Sequence, residues 1–327
     1  MIVDGPSYPI AVALMQHLHD IEPTRNYDTI IFTDLGYADG PYPPEIGVRD
    51  IQPLMRRLDE RLGHCSFVRA STTITKECYA RLVLDEFLRG EYKRCLYVDY
   101  DVFFKRALSP LFSVEIANAD FAAVSSLTHL VSERSVRYNV TMEKLSRVGL
   151  EPGSDLFNSG VMLINLNKFR FEEFACAAER LRHNGRLGDQ HLLNRVYHGK
   201  WVKLSPKWNL LTPFLLPRIE KAIQPCIVHF AGPDKPWHRT WIGNQTYRTE
   251  ILNVFRRYGV SPPQHRKRKP TLSDKIKKHM ASIEPTRTIY TMHDKLKRWR
   301  AAQDFLDSVR LAEQNGEFAD AHITTIV

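Results

Sequence analysis

Residues 95–101 read CLYVDYD, an apolar β-type run that ends in two aspartates. Side chains two positions apart on a strand point to the same face, so the carboxylates of Asp99 and Asp101 are expected side by side. Paired hard oxygen ligands of this kind suit Mg²⁺ or Mn²⁺ that carries substrate phosphates. A solvated strand end is the alternative interpretation, because aspartates are common on exposed termini. The stretch therefore predicts a strand with a candidate metal site at its carboxyl end.

The rest of the first 260 residues alternates between β-rich runs and stretches of helical periodicity. This alternation indicates an α/β domain with a largely parallel central sheet flanked by helices. In such sheets ligands bind beyond the carboxyl ends of the strands, where Asp99 and Asp101 stand. The predicted strands are Thr29–Thr33, Cys65–Arg69, Cys95–Val98, Phe121–Val124, Val161–Asn165 and Ile227–Phe230, and the predicted helices are Ala11–Asp20, Pro53–Leu62, Lys76–Phe87, Phe171–Asn184 and Gln190–Tyr197.

A second polar cluster follows a short apolar run, where residues 229–237 read HFAGPDKPW. His229 offers an imidazole ligand, Gly232 permits close backbone approach to a phosphate, and Lys235 supplies a compensating charge. The competing interpretation is a hydrogen-bonded histidine at the edge of the core, which is the commoner role of an isolated histidine. The residues alone leave both interpretations open.

The positive charge of the chain is concentrated in one segment. The 327 residues carry a formal net charge of +9, and residues 264–300 contain 12 Lys and Arg against 3 Asp and Glu. The rest of the chain is electrically neutral. The positive charge of residues 264–300 therefore indicates a local binding segment and not a general adaptation for solubility. A break at Ser261, before two prolines, divides the sequence into an α/β domain and a basic helical extension. The predicted units are residues 1–260 and 261–327, with helices at Leu272–Met280 and His293–Asn315 in the extension.

Three interpretations of residues 264–300 compete: a nucleic-acid tract, a solvated disordered tail, and attachment to an anionic membrane surface. We favour the membrane, because the basic residues are interleaved with Ile276, Met280 and Trp299, among other apolar residues. Each basic residue near such a surface contributes about 1 kcal/mol. The neutral body and the absence of a basic, aromatic-studded strand pattern argue against nucleic acid as a partner.

The cysteine pattern and the amino-terminal residues indicate the cellular compartment in which the protein is expected. The five cysteines are odd in number and include no CxxC pair, which fits a reducing environment. Residues 1–5 lead directly into a strand and turn, without the pattern of a secretory leader. We therefore expect a cytoplasmic protein, peripheral on the inner face of the membrane.

Six motifs, read together, resemble glycosyltransferase family 8, the retaining transferases that include bacterial lipopolysaccharide galactosyl- and glucosyltransferases and, more distantly, the glycogenins. The resemblance covers about residues 1–259 and implies a GT-A fold with a Rossmann-like central sheet. The motifs occur in family order: YARL at 79–82, DYD at 99–101, LFNSGV at 156–161 with LIN at 163–165, DQ at 189–190 with LN at 193–194, PKWN at 206–209, and residues 229–237.

The resemblance also implies roles for individual residues. Asp99, Asp101 and His229 would ligate Mn²⁺, with Mg²⁺ as an alternative, bound to the diphosphate of UDP. Gly232 and Lys235 would contact that diphosphate. The other substrate-binding residues implied are Asp4 and Tyr8 for the uridine, Arg81, Asn158, Asp189 and Gln190 around the donor sugar, and Tyr100 and Ser159 beside them.

The sequence departs from the family pattern near the donor sugar. Ser125 and Ser126 stand after the predicted strand Phe121–Val124, where many bacterial members carry an aspartate. Asp155, three residues before Asn158, resembles the glycogenin arrangement and is a candidate for the missing carboxylate. The candidate catalytic residues are therefore Asp155, Asp189 and Gln190.

The activity implied by the resemblance is transfer of galactose or glucose from a UDP-sugar to a saccharide acceptor. The expected acceptor is lipopolysaccharide or another surface glycan, either free or lipid-linked. Retention would follow from attack on the face that UDP leaves, with Gln190 stabilising the cationic sugar. The alternatives are a non-catalytic relative that binds UDP-sugar or a polyanion, and a basic nucleic-acid-binding protein. A complete set of Asp99, Asp101, His229 and Lys235 argues against the non-catalytic relative.

Overall fold

The structure is a computed structural model of the chain. It describes residues 1–37, 43–63, 76–126, 146, 149–150, 154–180, 189–232, 235–238, 241, 243–261, 300 and 302–321.

Four strands form the largest sheet, in the order β3–β6–β5–β7. Their bounds are β3 Arg94–Val98, β5 Phe121–Ser125, β6 Phe157–Asn165 and β7 Trp201–Leu204. β6 is antiparallel to both of its neighbours, whereas β5 and β7 are parallel. Every residue of β6 is buried, as expected for a strand that is covered on both faces.

Two smaller sheets extend this layer. β1 (Thr29–Thr33) and β2 (Ile46–Asp50) are parallel, and Ile2 forms a parallel bridge to Phe32 of β1. The other sheet has the order β4–β9–β8, with β4 (Val102–Phe104) antiparallel and β8 (Leu210–Leu211) parallel to β9 (Ile227–His229). Because Val102 pairs with His229, this sheet brings the end of β9 next to the residues that follow β3.

Helices cover both faces of the sheets. A short 3₁₀ turn, Gly5–Ser7, precedes the first helix, and Asp4 caps this turn by accepting a hydrogen bond from the Ser7 N–H. Among the residues that the structure describes, no helix combines the length and the apolar character needed to cross a bilayer. The helices are α1 Tyr8–Ile21, α2 Gln52–Leu62, α3 Leu84–Leu88, α4 Phe171–Arg180, α5 Asp189–Val196, α6 Pro217–Ile223, α7 Gln245–Arg257 and α8, residues 302–314.

The hydrophobic core forms two clusters on opposite faces of the central sheet. Alternate residues of β6 enter different clusters: Val161 and Leu163 pack on one side, and Met162 and Ile164 on the other. This is the period-2 alternation of a strand between two layers of helices. The expected α/β class is therefore confirmed.

The sheet is mixed rather than largely parallel. Among the described strands, three pairs are parallel and three antiparallel. The reason is β6, whose apolar pattern predicts burial but carries no signal for direction. β6 also begins at Phe157, earlier than the predicted Val161. Residues 65–69, predicted as a strand, lie outside the described residues.

Two predicted helices differ from the structure in their form. Lys76–Val83 is a 3₁₀ helix that precedes the short α3, where one continuous helix over Lys76–Phe87 was expected. In the extension, residues 302–314 are helical, within the predicted His293–Asn315. The predicted helix Leu272–Met280 lies outside the described residues.

α8 packs against the α/β domain. Phe305, Leu306 and Val309 are buried in the same cluster as Trp208, and the ring of Phe305 stacks on Phe214 with centroids 4.3 Å apart. The division at residue 260 stays a prediction, and the described part of the extension shares its core with the preceding domain.

Candidate active site

Three predicted metal ligands lie together where β3 ends and β9 ends. The His229 Nε2 atom is 3.2 Å from Asp101 Oδ1 and 3.9 Å from Asp99 Oδ2. One ligand atom from each of the three residues lies within 4.8 Å of the others. The pairing of β4 with β9 sets this geometry, because Val102 follows Asp101 directly and is the partner of His229.

The absence of a side chain at Gly160 lets His229 and Asp99 come close together in this cluster. The Gly160 carbonyl accepts a hydrogen bond from the Asp99 N–H at 2.8 Å, so β6 passes directly beneath the site. A Cβ atom at Gly160 would lie 2.3 Å from His229 Cε1 and 2.8 Å from Asp99 Oδ2. Two carboxylates suit Mg²⁺ or Mn²⁺, and the imidazole favours a transition metal over Mg²⁺. The residues present therefore fit a divalent ion, which Asp99, Asp101 and His229 could hold.

The Asp99 carboxylate is held by two further residues. Tyr97 donates a hydrogen bond to Asp99 Oδ1 at 2.6 Å, and Arg81 Nη1 lies 3.4 Å from the same oxygen. Arg81 is buried; it stacks over the Tyr97 ring at 4.6 Å and donates to the Ser159 carbonyl at 2.8 Å. Burial raises the pKa of Tyr97 well above its usual value, so the phenol stays a hydrogen-bond donor.

The Asp101 carboxylate forms an ion pair with Lys235, whose ammonium also donates to the Phe230 carbonyl at 2.9 Å. Burial alone would raise the pKa of Asp101, but the positive charge of Lys235 and the contact with His229 outweigh it. The pKa of Asp101 is therefore held well below its usual range, and the side chain is an anion at neutral pH.

A chain of side-chain amides runs away from His229. His229 Nδ1 lies 3.0 Å from Asn209 Oδ1, and Asn209 Nδ2 donates to Asn158 Oδ1 at 2.9 Å. Asn158 Nδ2 then donates to Gln190 Oε1 at 3.1 Å. Asn158, Asn209 and His229 are all buried. The structure thus brings the predicted residues Asn158, Ser159 and Gln190 next to the carboxylate cluster.

Predicted nucleotide-binding residues lie near Tyr100, which stands between the two aspartates in the sequence. Tyr100 lies close to Ser7 and Asp4, and its ring centroid is 6.4 Å from that of Trp237. Burial raises the pKa of Tyr100 to about 12, so its hydroxyl stays protonated. Tyr8 is buried and begins α1 directly after the capped turn.

Gly232 has a φ of 109°, a backbone conformation that side chains other than glycine rarely adopt. Its Cα faces open space, so the backbone there is accessible to a ligand. The intervening residues 233–234 lie outside the described residues. Asp189 is the first residue of α5, and its side chain is likewise outside what the structure describes.

Asp155 has partners of its own, apart from the carboxylate cluster. It accepts a hydrogen bond from Ser125 Oγ at 3.0 Å and pairs with Lys203 Nζ at 3.0 Å. Lys203 also pairs with Glu317, which follows α8. The structure therefore links Asp155 to the carboxy-terminal residues, and no contact joins it to Gln190 among the interactions described.

Sequence reasoning missed the roles of Asn209, Tyr97, Gly160 and Asn194. Asn194 ties α5 to β6, because its side chain bonds both the N–H and the carbonyl of Phe157, at 2.8 and 3.0 Å. Asn209, Gly160 and Asn194 lie inside the family motifs, and this position was the sequence signal that could have identified them as functional residues. The contacts that reveal these roles, with His229, Asp99 and Phe157, join positions 20 or more apart in sequence, so spacing could not assign them.

Known proteins match this chain in sequence over half of its length or more. Residues of this chain are 28% identical to General stress protein A of Bacillus subtilis over 204 positions, which cover 57% of this chain and 66% of that protein. They are 27% identical to the lipopolysaccharide 1,3-galactosyltransferase of Salmonella typhimurium over 181 positions, covering 50% of each. The chain thus matches less than two thirds of the length of either relative.

Solved structures share the fold. The galactosyltransferase LgtC, crystallised with donor and acceptor sugar analogues, superposes with a TM-score of 0.61 at 20% identity, over 79% of this chain and 98% of that one. The bifunctional glycosyltransferase WbbM superposes with a TM-score of 0.53 at 18% identity, over 78% and 50% of the two chains. These likenesses confirm the expected GT-A type of fold.

The family itself is decided by the sequence match. The model of the family described as "Glycosyl transferase family 8" matches residues 22–241. This stretch is about two thirds of the chain, and it contains the carboxylate cluster, the amide chain and Lys235. The protein described here therefore belongs to glycosyl transferase family 8.

Proposed function

We propose that this protein is a retaining, metal-dependent hexosyltransferase that moves galactose or glucose from a UDP-sugar to a saccharide acceptor. The observation that carries the proposal is the Asp99, Asp101 and His229 cluster above Gly160, which fits a divalent ion. Mn²⁺ is the preferred ion and Mg²⁺ the alternative. A bound ion would neutralise the negative charge that develops on the departing diphosphate.

Residues on one side of the cluster would bind the UDP part of the donor. Lys235 lies beside Asp101 and would donate to a diphosphate oxygen, while the accessible backbone at Gly232 lets the diphosphate approach closely. Asp4 and Tyr8 would hold the uridine, next to the ring of Tyr100. The proximity of Tyr100 to Asp4 and Ser7 supports this division of the site.

Residues on the other side would surround the sugar. Asn158 and the Ser159 N–H both donate to Gln190 Oε1, so the Gln190 amide is fixed in orientation beside Arg81 and Ser159. We assign stabilisation of the cationic sugar to Gln190 and Asp189. The acceptor hydroxyl attacks the anomeric carbon from the face that UDP leaves, and the departing phosphate oxygen takes the proton of that hydroxyl. Asp155 is the third candidate, and its carboxylate would have to leave Lys203 to reach the sugar.

The decisive experiment measures UDP release from a panel of UDP-sugars with and without Mn²⁺. We expect metal-dependent release from UDP-galactose or UDP-glucose, and release at least ~100-fold slower in the Asp101→Ala variant. Asp307→Ala, at an exposed position of α8, is the matched control and should behave as the original chain. Absence of release from every donor would instead support a non-catalytic UDP-sugar-binding relative.

The stereochemistry is tested separately. NMR of the product should show the anomeric configuration of the donor. Mass spectrometry of the enzyme during turnover should show no covalently bound sugar, whereas a hexose attached to Asp155, Asp189 or Gln190 would contradict same-face attack.

We further propose that the acceptor is lipopolysaccharide or another surface glycan, reached at the cytoplasmic face of the membrane. The support is the similarity to a lipopolysaccharide 1,3-galactosyltransferase and the basic composition of residues 264–300. Because residues 302–321 pack on the core, the test keeps the full chain and replaces the Lys and Arg of 264–300 by Gln. This variant should fold but no longer co-sediment with anionic vesicles; unchanged co-sedimentation would exclude attachment through this segment.

A further inference from the structure

We propose that Asn209 is a positioning residue: it fixes the orientation and the tautomer of His229 and, through Asn158, couples this metal ligand to Gln190. The proposal deepens the function proposed above and rests on it for the roles of His229 and Gln190. Asn209 lies between the 3₁₀ turn Pro206–Trp208 and β8, and only 1% of its surface is exposed.

Two backbone groups fix the orientation of the whole amide chain. The Gly160 N–H donates to Asn158 Oδ1 at 3.0 Å, so the atom at that position must be an oxygen. The group of Asn209 that faces this oxygen, 2.9 Å away, must therefore be its NH₂. In the same way the Ser159 N–H identifies the oxygen of Gln190, which the NH₂ of Asn158 faces.

The consequence for His229 follows directly. Since the NH₂ of Asn209 faces Asn158, its oxygen faces His229 Nδ1, 3.0 Å away. An amide oxygen only accepts hydrogen bonds, so the neutral imidazole carries its hydrogen on Nδ1. The lone pair of Nε2 is then left on the side of Asp99 and Asp101. This is the tautomer that a metal-binding histidine requires.

The chain also links two parts of the site that belong to different elements. His229 ends β9 and Gln190 lies in α5, and the side chains of Asn209 and Asn158 connect them without a gap. A displacement of the imidazole would therefore be transmitted to the amide proposed to face the sugar. Asn209 touches neither substrate in this scheme and acts through its two neighbours.

The test compares two variants at one position. Asn209→Ala removes both hydrogen bonds, and Asn209→Asp keeps the acceptor for His229 Nδ1–H while removing the donor to Asn158. Mn²⁺ binding to each full-length protein is titrated by the EPR signal of free Mn²⁺, and UDP release gives kcat. Thr212→Val is the matched control, because it removes a hydrogen bond to the His229 backbone carbonyl and leaves the ring contacts intact.

We expect Asn209→Ala to weaken Mn²⁺ binding ~10- to 100-fold, with circular dichroism like that of the original chain. Asn209→Asp should restore Mn²⁺ binding to within about 3-fold of the original chain and still lower kcat. Mn²⁺ binding by folded Asn209→Ala that equals that of the Thr212→Val control would overturn the proposal. The proposed function fails separately, if the unsubstituted chain neither binds Mn²⁺ nor releases UDP.

A second measurement decides the matter even if Asn209→Ala does not fold. ¹⁵N NMR of the unsubstituted chain, with His229 assigned by comparison with His229→Gln, reports which ring nitrogen carries the hydrogen. A hydrogen on Nδ1 supports the proposal, and an Nδ1 that carries no hydrogen contradicts it.

Discussion

At the scale of single residues, the missing side chain of Gly160 shapes the site as much as the carboxylates do. The Gly160 carbonyl anchors the Asp99 backbone, while the position that a Cβ atom would take is occupied by the side chains of His229 and Asp99. Interiors of proteins are packed too closely to absorb an extra carbon at such a position without movement.

We therefore expect Gly160→Ala to displace His229 or Asp99 and to reduce metal-dependent UDP release by at least ~100-fold. The matched control is Gly90→Ala, because a Cβ atom at Gly90 meets nothing within 4 Å. Both variants are compared by UDP release and by Mn²⁺ titration. Activity of Gly160→Ala equal to that of the control would mean that the carboxylate cluster does not act as a unit.

The same scale shows what the sequence could predict of the site. Asp99 and Asp101 follow a recognisable strand, and His229 follows another, so their proximity follows from the expected fold. The partnership of Asn209 with His229 depends on the parallel pairing of β8 with β9, in which Leu211 lies opposite His229. β8 has two residues, too few to produce a periodic pattern, so this neighbour could not be predicted.

At the scale of secondary-structure elements, the burial of the strands could be predicted, but whether neighbouring strands run parallel or antiparallel could not. Apolar runs correctly located β1, β3, β5 and the second half of β6. The start of β6 hides its strand character because Asn158, Ser159 and Gly160 interrupt the apolar run, although Phe157 lies in the core. Strand direction depends on connections that bring together residues far apart in sequence, which no local pattern contains.

The end of α1 shows how one charged side chain joins two elements. Glu22 follows α1 and accepts hydrogen bonds from Tyr27 Oη at 2.6 Å and from the N–H groups of Leu108 and Ser109 at 2.8 and 3.1 Å. Burial alone would raise the pKa of Glu22, but the bonds from Ser109, Tyr27 and the backbone outweigh it and lower that pKa below its usual value.

A carboxylate with a lowered pKa stabilises the fold above its unfolded-state pKa of about 4.3, and this stabilisation is lost as the pH falls through the folded-state value. We expect Glu22→Gln to lower the free energy of unfolding by about 2 kcal/mol at pH ~7. The difference from the original chain should shrink below pH ~4. Urea unfolding across this range measures it, with exposed Glu313→Gln as control; a difference that grows on acidification would contradict the assignment.

At the scale of the whole molecule, the carboxy-terminal residues complete the domain that precedes them. Asp320 is buried and accepts hydrogen bonds from Trp208 Nε1 and the Ser205 N–H, both at 2.8 Å, and lies 3.1 Å from Lys207 Nζ. These partners form the turn that leads into Asn209. The sequence predicted a separate basic extension, and it held no pattern that would identify Asp320 as a buried partner of residues so distant.

We expect Asp320→Ala to lower the free energy of unfolding by about 3 kcal/mol, because the substitution removes the acceptor of the buried Trp208 indole N–H and the ion pair to Lys207. Exposed Asp304→Ala, also in the carboxy-terminal segment, should change stability by less than about 0.5 kcal/mol. Chemical denaturation measures both. Equal stability of the two variants would contradict a stabilising role for the contacts of Asp320.

The hydrogen bond between Asp320 and Trp208 can form only late in the synthesis of the chain. The two residues are 112 positions apart, and a bacterial or eukaryotic ribosome needs roughly ten seconds to add that many residues. During this interval the turn before Asn209 lacks its buried acceptor, and the apolar surface that α8 later covers around Phe214 is open to solvent. The nascent α/β domain therefore stays incomplete, with this apolar surface exposed, until residue 320 has left the ribosome.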